Sequence, residues 1–231
     1  MNVIITGASQ GIGKKLAEVF AESGANLFLC SRNISKGMAW QKELMAKHQI
    51  EISSFDADLS QKEEVYKFAD AISRAWDKVD ILINNAGIFT PGNIFDEPDN
   101  NLEHMINLNL YSAYHLTRAI LPGMMAQKHG HIFNMCSVAS LKAYPQGGAY
   151  SISKYALDGF SKNLREEMKG HQIKVTSVYP GATFTPSWDG FQKEERLMES
   201  ADVAKMILAA SKLSHKACVE EIVLRPQLGD V

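Results

Sequence analysis

The chain has 231 residues, of which 45% are hydrophobic and 22% are charged, a composition typical of a globular protein with a sizeable core. Its formal net charge of -2 provides no excess of basic residues for a nucleic acid or an anionic membrane, so we expect neither as a partner. Three cysteines without a Cys-x-x-Cys pair, no secretory signal and no apolar run of about 18 residues favour a cytoplasmic protein without a membrane span.

The first half of the chain alternates between short apolar runs and amphipathic segments. Residues 3–6 form an apolar run that Gly7 ends, which predicts a buried strand, and apolar residues from Ile12 to Phe20 then recur at helical spacing until Gly24. Further strands are predicted over residues 25–31, 50–55 and 79–84. Helices are predicted over residues 35–47 and over the segment whose apolar face contains Val65, Phe68, Ala69, Ile72 and Trp76.

The second half continues this alternation. Helices are predicted over residues 102–127, from near Ala149 to Met168 and over residues 202–213, with strands over residues 131–136, 174–179 and 219–224. Apolar strands separated by amphipathic helices predict a parallel sheet that is covered on both faces. The expected fold class is therefore α/β, a doubly wound, Rossmann-like parallel sheet. No Pro-, Ser- or Gly-rich linker interrupts the pattern, which predicts one domain over residues 1–231.

The first predicted strand and helix are joined by the sequence Thr6-Gly7-Ala8-Ser9-Gln10-Gly11-Ile12-Gly13. A glycine turn at this place lets the backbone approach a pyrophosphate, whose negative charge is stabilised at the helix N-terminus. Three glycines in such a turn are also explained by tight packing alone. The spacing Gly-x-x-x-Gly-x-Gly differs from the usual Gly-x-Gly-x-x-Gly fingerprint, so the turn by itself indicates a dinucleotide site without establishing one.

Tyr150 and Lys154 lie four residues apart in a predicted helix. Four residues are about one turn, so both side chains lie on the same face. An ammonium one turn from a phenol favours the phenolate, and this spacing predicts a lowered pKa for Tyr150. A Tyr-x-x-x-Lys spacing is common, however, and taken alone it more often marks a rim tyrosine and a solvated lysine.

Ser137 follows the strand predicted over residues 131–136, at the edge of the sheet where doubly wound folds bind ligands. A serine in this place is often only a turn residue. No Gly-x-Ser-x-Gly sequence surrounds Ser137, which disfavours a Ser-His-Asp hydrolase. None of the seven histidines pairs with Cys, Asp or Glu at a ligand spacing, so no metal site is predicted.

Four motifs follow one another along the chain: Thr6-Gly7-x-x-x-Gly11-x-Gly13, Asn84-Asn85-Ala86-Gly87, Tyr150-x-x-x-Lys154 and Pro180-Gly181. In this order and spacing, from Val3 to Pro226, the sequence resembles the short-chain dehydrogenases/reductases of the compact one-domain subclass. The resemblance implies a catalytic set of Asn109, Ser137, Tyr150 and Lys154, in which Asn109 holds a water that relays protons to Lys154.

The resemblance also implies a nicotinamide dinucleotide site. The residues implied are Gly7, Ser9, Gln10, Gly11, Ile12, Gly13, Ser31, Arg32, Asp58, Leu59, Asn85, Ala86, Gly87, Tyr150, Lys154, Pro180, Gly181, Thr183 and Thr185. By this resemblance, Asp58 and Leu59 touch the adenine, and residues 85–87 line the adenine and ribose side and stabilise the central sheet. Thr185 is the expected contact to the nicotinamide carboxamide.

The end of the second predicted strand bears on the choice between NADP(H) and NAD(H). A carboxylate there would hydrogen-bond a ribose 2′-hydroxyl and repel a 2′-phosphate, whereas an arginine accommodates the phosphate. This chain has Ser31-Arg32 and no acid, so NADP(H) is favoured, although Gln10 stands where many NADP(H)-preferring members of the family have a basic residue. The alternative is that Arg32 is a solvated charge at the strand end and that NAD(H) is used.

The resemblance implies hydride transfer between NADP(H) and a small carbonyl compound or secondary alcohol, with an oxoacyl thioester as one candidate. Ser137 is expected to hydrogen-bond the substrate oxygen, and Tyr150 to act as general acid/base. Residues 88–95 and 143–148 are the expected pocket walls, and residues 186–200, with Trp188, Phe191 and Met198, the expected substrate lid.

The resemblance further implies a homodimer or homotetramer with an interface at the helices around Asn109 and Tyr150. A regulatory or scaffold protein that binds a dinucleotide with little catalysis is the alternative function.

Overall fold

The computed structural model of the protein describes residues 1–188, 190 and 194–229. Within these residues, seven parallel strands form one sheet. The strands are β1 (Asn2–Thr6), β2 (Asn26–Ser31), β3 (Ile52–Asp56), β4 (Ile81–Asn84), β5 (Gly130–Met135), β6 (Ile173–Pro180) and β7 (Glu221–Leu224). Their order in the sheet is β3-β2-β1-β4-β5-β6-β7, which confirms the predicted doubly wound, Rossmann-like fold.

The α-helices of the described residues pack on the two faces of this sheet. They are α1 (Gly11–Glu22), α2 (Met38–His48), α3 (Lys62–Ala75), α4 (Asn101–Met105), α5 (Ser112–Gln127), α6 (Gly148–Met168) and α7 (Ser200–Ser211). Apolar residues of α1, α2 and α7 form the core on one face, and those of α3, α5 and α6 form the core on the other. Both faces of each central strand are therefore buried.

Strand β1 shows how the sequence produces this arrangement. Val3 and Ile5 point into one core and Ile4 points into the other, and all three are fully buried. Successive side chains of a strand face opposite sides of the sheet, so a strand covered on both sides needs an uninterrupted apolar run. Full burial of each such side chain stabilises the fold by about 1.5–3 kcal/mol.

Several element boundaries differ from the predicted ones by one or two residues. Strand β3 is Ile52–Asp56 where residues 50–55 were expected, because its last residue still pairs with Ser31 of β2. Helix α3 ends at Ala75, so Trp76 lies beyond it in an extended conformation, with its ring 5.5 Å from that of Phe28. The apolar pattern predicted that the helix would continue through Trp76, whereas this residue lies beyond the helix end and packs against the sheet.

The long helix predicted over residues 102–127 is not a regular α-helix. It begins as α4, widens into a π-helical segment over Ile106–Tyr111 and continues as α5. The hydroxyl of Ser112 donates to the carbonyl of Leu108, and Asn109 is almost fully buried. π-helical turns change the direction of side chains and carbonyls and often occur at functional sites. The segment predicted as helical over residues 35–47 also begins differently, as a 3₁₀ turn (Ile34–Gly37) before α2.

The strand order reverses between β1 and β4, which are neighbours at the centre of the sheet. In such sheets a crevice opens outside the carboxyl ends of the strands at this switch point. Strands β1, β4, β5 and β6 end at this edge, and the residues that follow them are Gly7, Asn85, Cys136 and Gly181, respectively. The topology therefore gathers the predicted motifs at one edge of the sheet.

Candidate active site

A cavity of about 760 Å³ lies at the carboxyl edge of the sheet. Every residue predicted for dinucleotide binding, from Gly7 to Thr185, lines this cavity, and Ser137 lines it too. Its volume is in the range of small-molecule and cofactor sites. The structure thus brings together residues that are far apart in the chain.

The glycine turn has no room for side chains. Gly7 and Gly11 have φ values of +65° and +53°, in the left-handed region that glycine adopts without strain. A Cβ on Gly13 would lie 2.1 Å from the carbonyl oxygen of Gly7, and one on Gly11 would lie 3.1 Å from Cγ2 of Thr185. The glycines therefore serve packing within the turn, and they also leave backbone amides open at the N-terminus of α1.

Asn85 and Thr6 hold this turn in place. The Asn85 amide donates to the carbonyls of Thr6, at 2.9 Å, and Gly7, at 3.2 Å. The Thr6 hydroxyl accepts hydrogen bonds from the backbone N–H groups of Asn85 and Ala86, each at 2.9 Å. The motifs after β1 and β4 are therefore linked side by side. Thr6 was not among the predicted site residues, although its place before the first glycine pointed to it.

Asn84 has a different role from its neighbour. Its side-chain NH₂ donates to Thr117 of α5 at 3.0 Å and to the Asn134 carbonyl oxygen of β5 at 2.8 Å. Asn134 in turn donates to the Ser161 hydroxyl of α6 at 3.1 Å. This buried polar chain joins the central strands to two helices beneath the cavity, which rigidifies the floor of the site.

The end of β2 forms one side of the cavity. Ser31 and Arg32 line it, and the buried Ser31 hydroxyl oxygen has no hydrogen-bond partner among the described residues. Asp56 pairs in register with Ser31, but its carboxylate accepts hydrogen bonds from the backbone N–H and the hydroxyl of Ser35, which hold its pKa below the ordinary value. The carboxylate of Asp56, beside this end of β2, is therefore engaged by Ser35. Asp58 accepts from the backbone N–H and the hydroxyl of Ser60, at 3.0 and 2.8 Å.

Ser137 is fixed by a tight turn at the end of β5. Its hydroxyl accepts from the backbone N–H of Ala139 at 3.1 Å, while its own N–H donates to the Ser140 hydroxyl at 3.2 Å, which is a capping box for the 3₁₀ turn Val138–Ser140. The Ser151 hydroxyl donates to the carbonyl of Ala139 at 2.8 Å. The turn that carries Ser137 is thereby attached to α6, the helix that carries Tyr150.

Tyr150 and Lys154 lie one turn apart on α6, as predicted, and both line the cavity. The Lys154 ammonium is 5.9 Å from the centre of the Tyr150 ring and donates to the Met135 carbonyl at 2.7 Å. Lys154 is 5% exposed, and burial lowers its pKa to about 8. Phe89 packs edge-on against the Tyr150 ring, with 4.8 Å between ring centres.

The pKa of Tyr150 shifts in the direction opposite to the one predicted. Burial of the phenol raises it to about 12, and a hydrogen bond with Ser137 opposes this rise. Burial removes the phenolate from water, and this cost outweighs the hydrogen bond with Ser137 that favours the charged form. The prediction of a lowered pKa is therefore wrong for this structure, in which Tyr150 is protonated near neutral pH.

Asn109 lies behind the cavity wall, in the π-helical segment. Its carbonyl oxygen accepts from the Ile88 N–H at 2.8 Å, and its NH₂ donates to the Ile88 carbonyl at 3.1 Å and to the Ser153 hydroxyl at 2.9 Å. A Cβ on Gly87 would lie 3.0 Å from this carbonyl oxygen and 3.5 Å from the Lys154 ammonium. Asn109 therefore ties the wall after β4 to α6. Ser153 was missed by sequence reasoning, although it is a polar residue on the buried face of that helix.

The predicted pocket walls and lid are partly described. Ile88, Phe89, Ala143, Tyr144 and Trp188 line the cavity. Met198 pairs with Thr183 as an isolated bridge, and Phe191 lies outside the described residues. Among the lining residues that were not predicted, two carry a charge, Lys142 and Arg225, and each lies in a loop without a recognised motif.

Two kinds of feature are not found in the described part of the chain. It contains no group of three or more His, Cys, Asp and Glu side chains placed to hold a metal ion. None of its helices combines the length and apolar character needed to cross a bilayer.

Comparisons with known proteins agree over nearly the whole chain. Residues 1–196 match the family model described as short chain dehydrogenase. The chain is 31% identical to a sepiapterin reductase of Chlorobaculum tepidum, over 99% of this chain and 97% of that protein. It is similar to a solved metagenomic short-chain oxidoreductase in complex with NADP, with 30% identity, a TM-score of 0.86 and coverage of 98% of this chain and 97% of that one. It is also similar to an alcohol dehydrogenase from the archaeon Thermococcus sibiricus complexed with 5-hydroxy-NADP, with 26% identity, a TM-score of 0.90 and coverage of 98% and 96%.

Proposed function

The chain belongs to the short-chain dehydrogenase/reductase family, and we propose that it reduces the carbonyl group of a small molecule with NADPH, or oxidises the corresponding alcohol with NADP⁺. The observation that carries this proposal is one cavity lined by the glycine turn, Ser137, Tyr150 and Lys154. Family membership supports an NAD(P)-dependent oxidoreductase. The reacting groups and the carbonyl substrate are inferred from the geometry of the cavity.

The residues of the cavity fit an NADP(H) molecule. Backbone amides at the start of α1 suit a pyrophosphate, and the glycines of the turn let the backbone take the tight course that leaves these amides open. The unpartnered Ser31 hydroxyl and the Arg32 guanidinium suit a ribose 2′-phosphate. Two of the similar solved structures are complexed with NADP or a hydroxylated NADP, which supports the same choice. The bound cofactor supplies the hydride.

The chain's own residues supply the polar half of the reaction. Ser137, held by its capping box, donates a hydrogen bond to the substrate oxygen. Tyr150, which burial keeps protonated, donates its proton to that oxygen as negative charge develops. Lys154, below its pKa of about 8, provides a positive charge that stabilises the resulting phenolate. Asn109 links the cavity wall at Ile88 to α6, because its side chain accepts from the Ile88 N–H and donates to the Ser153 hydroxyl.

The test follows NADPH oxidation by absorbance with a panel of ketones and aldehydes. We expect Tyr150→Phe to lower kcat by about 10²- to 10⁴-fold, the usual contribution of an acid/base group, while NADPH still binds. Near-normal turnover by this variant would remove Tyr150 from the mechanism. Binding of NADPH without turnover of any carbonyl compound would instead favour a regulatory or scaffold protein.

Two further features belong to this proposal. We propose that residues 186–200, of which the structure describes 186–188, 190 and 194–200, form the substrate lid, and the position of Trp188 in the cavity wall supports this. The protein is a homodimer or homotetramer, supported by the exposed apolar residues Tyr111, Ile152 and Tyr155 on and beside the helices around Asn109 and Tyr150. Sedimentation that shows only monomers would refute the second statement.

A further inference from the structure

The charges that line the cavity are unbalanced. Among the residues that the structure describes, four cationic side chains line it, namely Arg32, Lys142, Lys154 and Arg225, and Asp58 is the one carboxylate. A cleft lined by charges of one sign raises the local concentration of ligands of the opposite sign. The negative charges of an NADPH molecule lie on its pyrophosphate and 2′-phosphate, so the position of each cation, and not the net charge, decides which of them could meet an anionic substrate.

Two of the cations already have roles in the proposed function. Arg32 lies at the end of β2, where it suits the ribose 2′-phosphate. Lys154 is buried beside Tyr150 and donates to the carbonyl of Met135. The carboxylate, Asp58, lies on the adenosine side with the Ser60 hydroxyl and N–H as its partners. No carboxylate therefore faces the substrate end of the cavity within the described residues.

Lys142 lies at this substrate end. The chain leaves Ser137, passes through the 3₁₀ turn and returns to Tyr150 on α6, and Lys142 is on the loop between these two residues. Its backbone N–H donates to the Val138 carbonyl at 3.2 Å, so the capped turn that fixes Ser137 also fixes the base of the Lys142 side chain.

The Lys142 ammonium is available to a ligand. The residue is exposed at the cavity mouth, and no described residue forms a hydrogen bond or ion pair with its ammonium group. The loop residues next to it, Ala143 and Tyr144, line the same cavity without contributing charge at neutral pH. Within the described residues, the substrate end therefore combines the apolar side chains of this loop with the Lys142 ammonium, for which no partner is found there.

We propose that Lys142 determines specificity by binding an acidic group of the substrate, a carboxylate or a phosphate, while the substrate carbonyl lies against Ser137 and Tyr150. A lysine ammonium is a compact, strongly hydrated charge on a flexible stem, which suits an anion that reaches it from different directions. This inference rests on the proposed function, because it assigns a substrate class to the same site.

The test compares charged and neutral forms of one substrate. An oxo acid and its methyl ester are reduced with NADPH, and the ratio of their kcat/KM values is measured. We expect Lys142→Gln to lower the acid/ester ratio by about fivefold, or ~1 kcal/mol, as for an ion pair open to solvent. Lys142→Glu is expected to lower this ratio further and Lys142→Arg to retain most of it. Lys216→Gln removes an exposed lysine that does not line the cavity and is the matched control.

A second pair of probes separates the two kinds of anion. Dihydroxyacetone phosphate is compared with dihydroxyacetone in the same variants. A Lys142-dependent preference for either the oxo acid or the phosphate supports the proposal and identifies the anion. Equal ratios in the wild type and in Lys142→Gln for both pairs would overturn it.

Binding without turnover distinguishes this inference from the proposed function. The fluorescence of the enzyme–NADPH complex is titrated with a saturated carboxylate and with inorganic phosphate. If either anion binds in a Lys142-dependent way but no carbonyl compound is reduced, the proposed anion site is supported and the proposed reductase function is refuted. If neutral carbonyl compounds are reduced but Lys142 gives no preference for anionic substrates, the reductase function is supported and the anion site is refuted.

Discussion

Glu97 connects the loop after β4 to the first turn of the helix that carries Tyr150. Both of its carboxylate oxygens accept from the Ala149 N–H, at 3.2 and 3.3 Å, and one also accepts from the Asn101 amide at 2.8 Å. Ala149 is the second residue of α6, where backbone N–H groups have no partner within the helix. The Gly92 N–H donates to the Gln146 carbonyl at 3.0 Å beside this contact. Glu97 therefore caps the N-terminus of α6, although it lies 52 positions before Ala149 in the chain.

We expect Glu97→Ala to destabilise the protein by about 2–3 kcal/mol. Loss of a helix-capping acceptor costs about 0.5–2 kcal/mol, and an amide left short of a partner at Asn101, which is 8% exposed, costs about 1–3 kcal/mol. The expected loss lies in the lower part of the sum of these two costs, because Glu97 is only half-buried and water can replace part of its contacts. The first turn of α6 also positions Tyr150, so kcat is expected to fall by about tenfold or more.

The measurement is urea unfolding followed by fluorescence, together with kcat for a carbonyl substrate. Glu103→Ala is the matched control, because Glu103 is an exposed acid on α4 with no ion pair among the described residues. Its free energy of unfolding should change by less than about 0.5 kcal/mol. Glu97→Gln retains an acceptor oxygen and is expected to lie between the two. If Glu97→Ala and Glu103→Ala unfold at the same urea concentration, the assignment of Glu97 as a cap is wrong.

Three further predictions concern pH, cofactor choice and the glycine turn. Since Lys154 is charged below its pKa of about 8, kcat/KM for carbonyl reduction should fall as the pH rises through about 8, and a profile that stays flat to pH 10 would contradict this. Arg32→Glu should raise KM for NADPH by about tenfold or more and favour NADH, because a carboxylate repels the 2′-phosphate; an unchanged ratio of the two KM values would contradict the role of Arg32. Gly13→Ala should abolish NADPH binding measured by fluorescence, because its Cβ would lie 2.1 Å from a backbone oxygen of the turn. Gly123→Ala, whose Cβ would meet no atom within 4 Å, is the control and should leave NADPH binding unchanged.

Much of the fold follows from local sequence patterns. The uninterrupted apolar runs predicted buried parallel strands, and the order of strands and helices predicted the doubly wound sheet that the structure has. Element ends were less accurate, as at Trp76, where a ring contact with Phe28 lies beyond the end of the helix. The π-helical segment was not predicted, since the apolar residues around Asn109 are compatible with a regular helix.

The site was predictable where a motif fixes its own geometry. A spacing of four residues on a helix is enough to place Tyr150 and Lys154 on one face, and a serine after a strand is enough to place Ser137 at the edge of the sheet. Glu97 was not predictable, because it contacts Ala149 across 52 positions of the chain. Lys142 was not predictable either, because its position in the cavity wall depends on how the loop after Ser137 packs.

The sequence by itself determined which functional groups are present and where they lie on their own elements: the glycines in the turn after β1, the phenol with an ammonium one turn away on α6, and the arginine at the end of β2. These features depend on backbone geometry over a few residues, which sequence spacing specifies. The tertiary structure alone decided the protonation of the pair. Burial, which is a property of the whole fold, raises the pKa of Tyr150 and lowers that of Lys154, whereas the spacing of the two residues predicted a lowered pKa for the tyrosine.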